Sequence, residues 1–530
     1  MEKKISHREI NVKQICLASM GWMVLTTLLI LIPNVSTWIV TPVFLIGIVG
    51  VLGLLLAVNL NLPSEKLSEY IFYTTGLGLT YVMLGGLVIN WGFPYLGISK
   101  PLASLPLMFF FDISTIVLSA YAYFLRREYA IAFNPPILDG TSSFFAIVPA
   151  SFVVMSVAGA EILNNGGNGT LTLAMLFGIA FYVLVLMGSR RRVRQWVYIP
   201  ALYCISLALL LMYSLRSSHI LGWDINQEYQ VFQMTLQNLV WKMSYYPGLD
   251  YNACLSITIL PTIFKVLTNM PSEYVFKVTF QLLFATVPVT VYVIARRYLT
   301  ESLAFLAAFL LLSQRWFFEQ LPALTRQEVA FIFFVFILLV LFDAQMPKRT
   351  RHVLFYLFSM VLILSHYSTA YIWLTLMFGT LILSYAARLL FSPFRDRVMI
   401  LTPTMFGISL ALLFIWQVPL TSTAGHFAAF ATNNDGQISI TSTGGTTSPA
   451  SLTPLRVVGG IVVAPVALPL IAIESVARTG IMTALFASPD LNTDRNIQFV
   501  EQITLSELEK KNWIPGILRY RSIGIHSKSS

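Results

Sequence analysis

Charge is scarce in this chain. Asp, Glu, Lys and Arg make up 11% of its 530 residues, against 56% apolar and 13% aromatic. Soluble domains carry about 25% charged residues, so this composition excludes one. Cysteine is scarce as well: Cys16, Cys204 and Cys254, two of them inside apolar runs, form neither a disulfide framework nor a metal-ligand spacing. No hydrophilic stretch is long enough for a nucleotide-binding α/β domain, and no Gly-rich phosphate loop precedes a soluble helix. The net charge of +10 comes from short basic clusters between apolar runs, which mark cytoplasmic loops and not a nucleic-acid surface. What remains is an all-α polytopic membrane protein.

Apolar windows of about 17–25 residues, enough to cross roughly 30 Å of hydrocarbon, fall near 15–33, 37–58, 70–91, 104–124, 143–161, 171–188 and 196–214. Six more follow near 275–295, 301–314, 327–343, 352–367, 369–391 and 398–419. A run at 457–473, carrying Gly459, Gly460, Pro465 and Pro469, is a fourteenth span or a re-entrant segment, which gives 13–14 in all. The basic start (Lys3, Lys4, Arg8, Lys13) lacks a small-residue cleavage site, so the first span is expected to be a retained anchor. With the N-terminus cytoplasmic, about 19 Lys and Arg up to residue 456 lie on inner turns and about 7 on outer ones, as the positive-inside rule requires. The chain divides into a six-span module (1–190), a second module (191–420) with a long outer loop at 215–273, a Ser/Thr/Gly-rich outer loop (421–455) and a tail (456–530).

The outer loop holds the most informative stretch, Ser218 to Tyr229. Asp224 and Glu228 are four residues apart, which places both acids on one helical face, and Trp223 before them suits the headgroup level. Beyond them Ile225, Tyr229, Phe232, Leu236, Leu239 and Met243 recur at spacings of three and four. They predict an amphipathic helix lying on the membrane. Tyr245-Tyr246-Pro247-Gly248-Leu249-Asp250 reads as a turn, and 254–268 as a second surface helix. Asp224 with Gln227 also matches a capping box, a purely structural role compatible with a second one, since a carboxylate has two oxygens. Glu228 matches a solvated helix residue as well as a site residue, and Asp250 suits its turn for backbone reasons.

The order of features from Trp196 to Leu420 resembles the GT-C class of integral-membrane glycosyltransferases, which includes protein O-mannosyltransferases and aminoarabinose transferases. The resemblance is carried by Asp224 and Glu228, Tyr245-Tyr246-Pro247, Ile257-Leu260-Pro261 and the span from Tyr274 to Arg297. The chain departs from the class in the six spans before this module, and it lacks the Trp-Trp-Asp signature of oligosaccharyltransferases. The resemblance implies a sugar on a polyprenyl phosphate as donor, a lipid, glycan or protein acceptor, and chemistry on the extracytoplasmic side of the cell membrane. Asp224 would then be the general base, worth about 10²–10⁴ in rate, with Glu228 in support.

The leaving phosphate needs positive charge or hydrogen-bond donors. Arg326, at the outer mouth of the 327–343 span, offers a planar fork, although it also suits snorkelling or pairing with Glu328 or Glu319. His366, in an outer turn, is the second candidate and Lys277 the third. His219 and Asp224 do not make a metal site by themselves. Acid–base chemistry without a metal is the simpler expectation, although some members of the class use a divalent ion. Asp112 is the clear acid inside a span. A mid-bilayer charge costs about 2.5–3.5 kcal/mol, so Asp112 is expected to line a cavity or to meet a partner such as Tyr or Arg. Tyr246, Asp250 and His219 are further cavity candidates. Two readings from other classes stay open: a multi-spanning transporter or flippase, and a non-catalytic scaffold of envelope-glycan assembly.

Overall fold

A computed structural model of the protein describes residues 8–32, 34–63, 67–133, 137–222, 224–245, 250–391 and 399–423. The apolar runs fold as helices because a helix satisfies its backbone N–H and C=O groups within one segment, which a lipid environment demands. In chain order they are α1 (Val12–Leu31), α2 (Thr37–Phe44), α3 (Leu52–Asn59), α4 (Leu67–Gly92), α5 (Ser104–Leu125), α6 (Gly140–Asn164), α7 (Thr170–Gly188), α8 (Tyr198–Ser214) and α9 (Asp224–Asn238). Then come α10 (Ile259–Thr268), α11 (Ser272–Tyr274), α12 (Phe280–Phe284), α13 (Thr286–Ala295), α14 (Glu301–Leu312), α15 (Thr325–Leu341), α16 (Lys348–Ser365), α17 (Tyr367–Leu390) and α18 (Pro403–Ile415). A two-stranded antiparallel ribbon, β1 (Arg8–Asn11) with β2 (Ala130–Phe133), pairs Arg8 with Phe133 through Asn11 with Ala130. The all-α reading misses it, since four residues are too few for a period-2 pattern to stand out.

The protein is a multi-pass membrane protein. Ten of the described helical segments are long and apolar enough to cross a membrane, eleven if Glu301–Leu312 and Trp316–Ala323, bent by 54°, count as one. Ten of the thirteen windows expected before residue 420 are thus long enough by themselves, and the fourteenth lies outside the described residues. The windows at 327–343 and 352–367 do form helices, but α15 has only 17 residues, roughly 26 Å at 1.5 Å each. α16 spends its first turns on Lys348, Arg349 and Arg351. The 424–455 loop, the 457–473 run, the tail, Trp223 and Tyr246 lie outside the described residues.

Burial separates centre from periphery: 67% of the apolar stretch in α4 is buried, against 28% in α1, α7 and α17. Phe177, Phe181 and Leu184 of α7 are correspondingly exposed, as side chains facing lipid would be. Residues 12–190 and 191–420 share one compact body, with α4 packed on α10, α13, α15 and α16.

The two ends of the central helices differ. At one end Glu69 of α4 pairs with Arg297 at 2.7 Å and with Arg296 at 3.8 Å, Arg297 reaches Asp343 at 3.8 Å, and the Tyr73 hydroxyl donates to Asp343 at 2.8 Å. Arg351 caps the same corner by donating to the Asp343 carbonyl. The opposite end, where α15 begins and α16 gives way to α17, holds the residues of the 215–273 stretch.

Candidate functional site

α9 begins at Asp224, so this residue opens the helix, and its Oδ2 is engaged by Arg326. The face expected to lie on the membrane packs on protein instead. Ile225, Val231 and Phe232 are buried, and the Phe232 and Tyr229 rings meet Phe276 at 5.3 and 5.6 Å, while Asn226, Gln230 and Gln237 face outward. α10 departs further from its expected place, being buried along almost its whole length. The reason lies in α4: a Cβ on Gly86 would stand 2.6 Å from Ile259 and 2.7 Å from Ile263, so a glycine leaves the space that α10 fills.

Hydrogen bonds strap the loop to the bundle. Asn90, near the end of α4, donates to the Trp241 carbonyl and accepts from its N–H, and the Trp241 indole donates to the Asn252 carbonyl at 2.9 Å. The Leu255 N–H donates to the Leu364 carbonyl, and the Ser256 hydroxyl to that of Ser365. These straps bring the 250–256 stretch beside the turn at His366.

Arg326, second residue of α15 and 3% exposed, sits at the centre. Its Nη2 donates to Asp224 Oδ2 at 2.9 Å, and its Nε lies 3.3 Å from Glu228 Oε1, close enough for an ion pair but not aligned as a hydrogen bond. Glu228 is fully buried, and its Oε2 accepts from the Thr325 N–H at 2.9 Å, filling one of the donors that a helix N-terminus leaves open. The guanidinium carbon stands 3.6 Å from the Tyr251 ring centroid and 5.5 Å from that of Tyr367. Arg326 Nη1 is buried without a hydrogen-bond partner.

Burial pushes the Glu228 carboxyl up to about 7, with Asp224 adding to the rise, while Arg326 and the Thr325 N–H oppose it. The Asp224 side chain is 40% exposed, so the pair has a wet side and a dry side. Burial, with Arg326 nearby, holds the His366 imidazole well below its usual range and hence neutral. Its Nδ1 lies 2.7 Å from the Thr369 hydroxyl and caps α17 by accepting the Thr369 N–H.

The other expected residues divide. Lys277 donates to the backbone carbonyls of Ser217 and His219, at 2.7 and 3.1 Å, and so holds the approach to Asp224 in shape. His219 is largely exposed, 3.4 Å from Glu273. Asp250 stands within electrostatic reach of Cys254 and Tyr367, beside the site. Asp112 meets neither a Tyr nor an Arg among the described residues; the Thr27 hydroxyl of α1 donates to it, 2.9 Å from Oδ1. Among the described residues no group of three or more His, Cys, Asp or Glu side chains is placed to hold a metal ion.

Sequence reasoning missed Tyr251, Tyr367 and Glu328. Tyr251 follows Asp250 in a stretch read only as a turn, and Tyr367 follows His366. Glu328, read only as a possible partner of Arg326, is fully buried, and its Oε2 accepts from Gln281 at 3.2 Å. An acid two residues from a candidate arginine at the head of an apolar run was the available signal. No family model, curated protein or solved structure matches the chain.

Proposed function

We propose that the protein is an inverting membrane glycosyltransferase that moves a sugar from a polyprenyl-phosphate donor to a hydroxyl or amine of a lipid, glycan or protein acceptor on the extracytoplasmic side. One observation carries the reading: a half-exposed carboxylate and a buried guanidinium with a spare donor, Asp224 and Arg326, meet at 2.9 Å from positions 102 residues apart. A transfer of this kind needs a base on one side of the anomeric carbon and a cradle for the leaving phosphate on the other.

In this mechanism the acceptor oxygen or nitrogen attacks the anomeric carbon and passes its proton to Asp224. The bond from that carbon to the phosphate oxygen breaks, and the electron pair leaves with the phosphate. Arg326 holds the phosphate through the Nη1 donor that no protein group occupies, which suits a fork built for oxyanions. Tyr251 fixes the guanidinium plane, and Lys277 keeps the 217–219 turn in place.

The test is sugar transfer from polyprenyl-phosphate sugars by the full chain in membranes. Asp224→Asn is expected to cost about 10²–10⁴ in rate with donor binding kept, and Arg326→Ala to weaken donor binding. Full activity in Asp224→Asn would remove it as base. Passage of a substrate across sealed vesicles with no donor consumed would favour a transporter instead.

A further inference from the structure

The Arg326 guanidinium is faced by more acid than it can neutralise. Asp224 and Glu228 lie at 2.9 and 3.3 Å, and Glu328 follows two residues later on the same helix, fully buried. Among the described residues no cation lies within ion-pair distance of Glu328, and its Oε1 has no hydrogen-bond partner. Asp224 is open to water, but Glu228 is not, so solvent does not screen it. Among the buried atoms here without a hydrogen-bond partner, two are of complementary kind: Arg326 Nη1, a donor, and Glu228 Oε1, an acceptor that becomes a donor once protonated.

An oxyanion arriving at Nη1 adds negative charge beside a carboxylate that shares its only cation. Two like charges in a dry site do not both stay ionised when one of them can accept a proton. We propose that Glu228 is the proton carrier of an oxyanion site centred on Arg326: a phosphate- or sulfate-type anion takes the Nη1 donor as the Glu228 carboxylate takes up one proton from water, and both leave together. No other bond is made or broken. The proposal rests on Arg326 as the anion-holding group and does not need sugar transfer.

The surroundings of Glu228 suit this role. Burial and Asp224 on its own helix favour the protonated form, while Arg326 and the N–H groups of Thr325 and Arg326 favour the charged one; Glu328 on α15 is the further acid within electrostatic reach. From the adjacent stretch Tyr251 and Cys254 face the same guanidinium, as do Tyr367 and His366 at the head of α17. Burial already holds Glu228 near neutrality, so a modest added field suffices to load it. In the loaded site Glu228 is a neutral donor buried beside the half-exposed Asp224, which divides the work of two acids by their environments.

The experiment uses the full chain in detergent and inorganic sulfate, which stays a dianion from pH 5.5 to 9, at constant ionic strength. Wild type is expected to lose sulfate affinity about tenfold per pH unit above roughly pH 7, whereas Glu228→Gln keeps an affinity flat to within about threefold. Because Glu228→Gln could misfold, the second readout is wild type alone: calorimetry in two buffers of different ionisation enthalpy, expected to give about one proton taken up per sulfate at pH 8. Flat wild-type affinity, zero proton uptake, an unchanged slope in Glu228→Gln, or no sulfate binding at pH 6 would each overturn the proposal. Proton-linked sulfate binding without any sugar transfer would leave it standing and remove the transferase reading.

Discussion

Gly222 and Ala323 touch across a hundred residues of sequence: a Cβ on Gly222 would stand 2.6 Å from the Cβ of Ala323. Gly222 has φ of +135° and precedes α9 by two residues, and Ala323 precedes Arg326 by three. This contact therefore sets how closely the helix bearing Asp224 approaches the helix bearing Arg326. Asn226 reinforces the turn by donating to the Gly222 carbonyl.

Gly222→Ala is expected to cost about 1–3 kcal/mol through backbone strain and to part Asp224 from Arg326. Thermal unfolding and sulfate binding both read it. Adding Ala323→Gly removes the closest clash but leaves Ile225 Cγ2 at 3.0 Å from the new methyl and the φ unrelieved, so the double variant should recover binding more than stability. Full recovery of both would show that crowding alone was at fault.

Stability should depend on pH through Glu228. Its carboxyl titrates near 7 in the folded chain against an ordinary 4.5, so the folded state holds the proton more tightly. The resulting stabilisation is present below pH 4.5 and is lost as pH rises towards 7, on the order of 3 kcal/mol in all. Unfolding midpoints in detergent between pH 4.5 and 8 should fall for wild type and change less for Glu228→Gln. Equal pH dependence in the two proteins would assign the effect to another group.

At the far end of the bundle, Arg297→Ala leaves Glu69 to Arg296 at 3.8 Å and removes a partner of Asp343. Breaking such a buried pair costs about 3–5 kcal/mol. The variant should unfold at a lower temperature yet bind sulfate with unchanged affinity in its folded fraction. A change in affinity would mean that the two ends of α15 communicate.

Much of this was legible in the sequence. The 3.6-residue period, the scarcity of charge and the length of the apolar runs mark helices, since those signals are local. Asp224, Glu228, Arg326 and His366 were legible as isolated chemical candidates, as charged or titratable groups at the mouths of apolar runs. The environment of α10 was not, because its pattern alone does not distinguish burial in lipid headgroups from burial against protein. Gly86 of α4 made that choice. The windows at 301–314 and 327–343 depart from expectation for a related reason: hydropathy counts apolar length and registers neither the bend at 312–316 nor the 17-residue limit of α15.

The sequence by itself determined that this is a helical multi-pass membrane protein, and which few polar residues sit at helix ends, because composition and periodicity act residue by residue. Only the tertiary structure decided that Asp224, Glu228 and Arg326 form one cluster, that Glu228 is its dry member and Asp224 its wet one, and that Lys277 holds a turn. Those facts arise from contacts between residues about 60 to 100 positions apart. No local pattern encodes how much water such a contact excludes, and that exclusion is what moves a carboxyl from an ordinary surface acid to one poised near neutrality.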